Sequence, residues 1–83
     1  MPYINLDRQI DLDAGQVPQN PGELNYALHQ VFLKYLSTHG LSYRTINDIV
    51  GALEGAKAEF QRRVVADYED RKKKENGDVY FTH

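Results

Sequence analysis

The side chains best suited to chemistry lie in the C-terminal half. Arg62 and Arg63 are adjacent, and Glu69 and Asp70 follow two turns later at helical spacing. Guanidinium forks suit carboxylates and phosphates. Between residues 62 and 74, six basic and three acidic side chains leave a local charge of +3. The interleaved Asp67, Glu69 and Asp70 read as a solvated face. No aromatic platform or glycine-rich loop accompanies the run, so nucleic-acid binding is not expected. Lys57 falls inside an apolar stripe, between Leu53 and Phe60. Either its stem packs while the ammonium reaches water, or it pairs with a buried anion, for which Asp67 of a neighbouring antiparallel helix is the candidate.

Other chemistries find little support. His29, His39 and His83 are scattered, with no His-x-x-x-His or Glu-x-x-His spacing, and there is no cysteine. Glu54 and Glu59 are five apart and project differently. Asp67-Tyr68-Glu69-Asp70 offers Asp-x-x-Asp, but no Glu-x-x-Glu answers it. Magnesium needs several convergent carboxylates or substrate phosphates. The reading assigns no catalytic residue, no metal and no cofactor. Ser37 and Ser42 flank a turn, where capping accounts for them. Six tyrosines suit interfaces, with a ring to bury and a hydroxyl to bond.

Two helices must position these groups. The chain has 83 residues, 41% hydrophobic and 27% charged, with net charge −2, an ordinary composition for one small domain. No apolar run approaches a membrane span, and the start lacks the charged and apolar regions of a signal peptide. A cytoplasmic protein is expected. Residues 1–20 hold two of the three prolines and read as an extended arm, with one helical turn near Asp7–Leu12.

Asn20, Pro21 and Glu23 form a capping-box start for a first helix over 21–38, with Gly40 as its left-handed stop. Its main stripe is Leu24, Ala27, Leu28, Val31 and Tyr35, with Tyr26 and Leu33 almost opposite. Glu23 falls on the narrow polar arc. Ser42 caps a second helix over 43–75, and Asn76-Gly77 stops it. The tail, 76–83, contains Asp78 and Tyr80.

The predicted fold is all-α: a helical hairpin with an N-terminal arm. The first helix spans about 27 Å and the second about 50 Å, so one cannot cover the other. Phe60, Val64, Val65 and Tyr68 lie beyond reach. The mismatch and the surplus apolar face predict a homodimer or higher homo-oligomer, most simply a four-helix bundle.

The chain also resembles a family of small proteins of unknown function found in bacteriophages and bacteria. The resemblance lies in Gly22-Glu23-Leu24-Asn25-Tyr26, Gly51-Ala52-Leu53-Glu54, Glu59-Phe60-Gln61-Arg62-Arg63-Val64-Val65, Tyr68-Glu69-Asp70 and Asn76-Gly77-Asp78-Val79-Tyr80. Members often carry a proline where Asp67 stands here. The resemblance therefore implies a bend or restart of the second helix near 66–68, and a phage or prophage source. It implies no activity.

The function expected is that of a small accessory interaction protein, binding a host or phage macromolecule through Arg62, Arg63, Glu69, Asp70, Lys57, Asp78 and Tyr80. The alternative is a small-ligand or Mg²⁺-dependent nucleotide-processing protein with its site at a subunit interface.

Overall fold

The structure, a computed structural model, describes residues 4–77, and among them every regular element is helical. The chain divides into two units, Met1–Asn47 and Asp48–His83, and each is taken by itself.

The first unit opens with helix α1, Leu6–Asp13. The arm is thus not extended throughout. The Asn5 side chain accepts the Arg8 amide hydrogen bond at 2.9 Å, and Asp7 places a negative charge in the first turn. Both favour a helix start. Gly15, at φ +98°, turns the chain away.

Helix α2 runs Pro21–His39. The Asn20 side-chain oxygen accepts from the Glu23 amide at 2.9 Å, and Pro21 occupies the first position, where its missing N–H costs nothing. Gly40 closes the helix, donating its N–H to the Leu36 carbonyl at 2.7 Å. Its φ of 84° and ψ of 157° lie in a region essentially reserved for glycine, beyond the compact left-handed well expected.

The packing of α1 on α2 corrects the sequence reading at one place. Arg8 and Leu12, four apart, share a face of α1, and Glu23 and Tyr26, three apart, share a face of α2. Leu12, Tyr26 and Glu23 are buried. Glu23 therefore does not lie on a solvated arc, and the face α1 covers is the one opposite the main stripe. Leu24, Leu28 and Val31 of that stripe stay exposed. The reason is electrostatic: Arg8 finds its carboxylate on the Glu23 face.

Helix α3, Tyr43–Phe60, starts in this unit. The Ser42 hydroxyl accepts the Thr45 amide at 3.2 Å, and Thr45 Oγ1 accepts the Ser42 amide at 3.0 Å, a reciprocal cap with threonine in the glutamate's place. Thr45 is buried.

The second unit is one long helical run. After α3 comes a π-helical turn, Gln61–Val65, then helix α4, Ala66–Asn76. The Ala66 N–H donates to the Gln61 carbonyl, five residues back, while the backbone angles at Val65 and Ala66 stay helical. The perturbation is one extra residue in a turn. It lies upstream of Ala66–Tyr68, and the helix continues through that stretch. Gly77, at φ 82°, ends α4 as its N–H bonds the Lys73 carbonyl at 2.7 Å. Between residues 48 and 77 no side chain is buried, and only Ile49 and Val65 are half-buried.

Candidate functional site

Each unit holds one charged cluster. In the first, the Arg8 guanidinium clasps Glu23: Nε donates to Oε2 at 2.9 Å and Nη2 to Oε1 at 2.6 Å. Arg8 also reaches Asp11 Oδ2 at 3.2 Å and the Val17 carbonyl at 3.4 Å. The Gln19 amide donates to Glu23 Oε1 at 2.9 Å. Hydrogen bonding from Arg8, then from Gln19, holds the Glu23 carboxyl below its ordinary value of 4.5 against the opposing effect of burial. Nearby, the Tyr26 hydroxyl donates to Asp13 Oδ1 at 3.2 Å, and burial followed by that acidic neighbour pushes its pKa above 10.0. Arg8 and the Gln19 amide engage both Glu23 carboxylate oxygens, so the cluster is a clamp holding α1 and the 14–20 loop on the start of α2.

The second cluster gathers on Glu59. Arg62 Nη2 lies 2.7 Å from Oε1 and 2.8 Å from Oε2, and Arg63 Nε lies 2.7 Å from Oε2. The two guanidiniums, Arg62 first, hold Glu59 ionised below its ordinary range. All three side chains are more than half exposed. Two positive groups share one negative group, so the cluster presents a net single positive charge to its surroundings. A guanidinium left over in such a cluster is of a kind that can recognise an acidic group.

Of the residues singled out from the sequence, Arg62 and Arg63 are brought together, through Glu59. Glu69 and Asp70 lie exposed on α4, with no hydrogen bond or ion pair to the arginines. Lys57 is exposed on α3 and pairs with no carboxylate among the described residues; Asp67 pairs instead with Arg71 at 3.0 Å. Lys72 meets Glu75 at 3.4 Å and sits 5.5 Å from the centre of the Tyr68 ring. Asp78 and Tyr80 lie outside the described residues. His29 Nδ1 lies 2.8 Å from the Asn25 carbonyl, and the His39 ring packs against Tyr35 at 4.5 Å. Among the described residues no three His, Cys, Asp or Glu side chains gather as metal ligands.

Sequence reading passed over Arg8 and Thr45. A signal for Arg8 existed: it falls four residues before Leu12, on what proves to be the buried face of α1. Thr45 had one too, three residues after Ser42, where a capping partner stands.

Residues 1–79 match a family described as a domain of unknown function, DUF6899. The chain belongs to DUF6899. The match takes in α1, α2, α3, the π turn and α4, so both charged clusters fall within the DUF6899 domain. No curated protein and no solved structure matches the chain. No helix among the described residues is long and apolar enough to cross a membrane.

Proposed function

We propose that this DUF6899 chain is a small accessory interaction protein, encoded by a phage or prophage, that assembles into a homodimer or higher oligomer and binds a macromolecule of phage or host. The observation that supports this reading is the apolar surface left bare. Leu24, Leu28 and Val31 on α2, and Val50, Leu53, Phe60, Val64 and Tyr68 along the second unit, are all exposed. No side chain of the described residues is fully buried. An exposed apolar stripe along one helix face marks a protein contact. The expected hairpin and bundle belong to this proposal. In it, the arginines on Glu59 and the acidic pair Glu69 and Asp70 form the polar rim that recognises the partner.

Light scattering on the full chain at micromolar concentration tests the assembly. A mass of two or more chains is expected, and a single-chain mass overturns the reading. Arg62→Glu with Arg63→Glu should abolish capture of the macromolecular partner. Undiminished capture would remove the arginines from the recognition surface.

A further inference from the structure

The second unit exposes a seam with a regular beat. Val50, Leu53, Lys57, Phe60 and Val64 follow one another at alternating steps of three and four residues, the spacing of a helix that faces another helix along its length. Continued in a straight α-helix, that beat lands next on Asp67 and Arg71. The π turn inserts one residue into the run just before them. The beat then lands on Tyr68 and Lys72 instead. The contacts agree with two separate faces after the turn. Asp67 and Arg71 pair with each other at 3.0 Å, and the Lys72 ammonium lies 5.5 Å from the Tyr68 ring centre. The turn thus carries an ion pair out of the seam and brings an aromatic ring into it.

Charge selects the orientation. A parallel pair sets Lys57 against Lys57 and the run Arg71–Lys74 against its own copy. An antiparallel pair with its two-fold axis midway between positions 57 and 60 removes both clashes. Lys57 then faces the Phe60 ring, Leu53 faces Val64, and Val50 faces Tyr68. Arg62 and Arg63, of which Glu59 neutralises one, come level with residues 54 and 55, where Glu54 is the charged group. Glu54 has no ion-pair partner within its own chain among the described residues.

We infer that residues 48–70 pair antiparallel with the same helix of a second copy, the π turn setting the phase of the seam so that Tyr68 rather than Asp67 enters it. The inference rests on the oligomer proposed above and adds its interface and polarity.

The absence of cysteine allows a direct test on the full chain. Leu53→Cys and Val64→Cys are made separately and their helicity is checked by circular dichroism. Each is oxidised alone and as a mixture refolded together. Linked dimer is expected from the mixture and not from either variant alone. Self-linking of Leu53→Cys or Val64→Cys means a parallel pair and overturns the inference, as does an unlinked mixture of dimeric mass. Neither result touches the oligomer itself. A single-chain mass overturns both readings. The phase is tested by two further variants. Tyr68→Asp should weaken dimerisation about tenfold or more, while Asp67→Leu should leave it unchanged. Tighter dimerisation of Asp67→Leu would place that residue in the seam and overturn the role of the π turn.

Discussion

Arg8 and Glu23, fifteen residues apart, meet in a two-point contact, Nε to Oε2 at 2.9 Å and Nη2 to Oε1 at 2.6 Å, that fastens α1 to the first turn of α2. A buried carboxylate that keeps its charge needs this much hydrogen bonding.

Acid should release this clamp. The Glu23 carboxyl sits below 4.5 in the folded chain, so its ionised form stabilises the fold above the ordinary carboxylate range. That contribution is lost as pH falls through the depressed value. Thermal melts from about pH 7 down to pH 3 should show a falling midpoint. Glu23→Gln should melt lower at neutral pH and lose part of that acid slope. A variant with the parent's slope would show that another carboxyl controls it.

Alkali should act through Tyr26. Its pKa is raised, first by burial and then by Asp13, so the neutral phenol stabilises the fold below 10.0. That contribution disappears as pH rises through the folded value. Tyr26→Phe should lack this alkaline loss in pH-dependent melts.

Gly40→Ala should destabilise by about 1–3 kcal/mol, because a Cβ is strained at φ 84° and ψ 157° even though nothing crowds the site. Chemical denaturation measures it. A neutral substitution would mean that the turn relaxes without cost.

Thr45 should matter through its hydroxyl. Oγ1 donates to the Gly40 carbonyl, 2.7 Å away, and accepts from the Ser42 amide. Thr45→Ala should cost about 1–3 kcal/mol, while Thr45→Ser should retain most of the stability. Equal loss in both variants would assign the effect to the methyl group.

The helix ends were legible because they depend on local chemistry. Asn20 with Pro21, Ser42, Gly40 and Gly77 act on backbone groups within one turn. Glu23 shows where such reading stops. Its spacing from Asn20 pointed to a capping box, yet its carboxylate turns to Arg8 and the Gln19 amide. A side chain with two local uses is committed by whichever distant charge arrives. Arg62 and Arg63 were legible as a pair. Their common partner Glu59 was not joined to them, although three and four residues is ordinary helical reach.

By itself the sequence determined an all-helical chain, its main helix boundaries, and an apolar surface too large for its length, because periodicity and capping are properties of neighbouring residues. Tertiary structure decided which face of α2 is covered, since that turned on the meeting of Arg8 with Glu23 across fifteen residues. The three-dimensional backbone also fixed the phase of the last helix. One carbonyl at Gln61 accepts from Ala66 instead of Val65, and a single hydrogen-bond choice of that kind leaves no mark in the pattern of residue types.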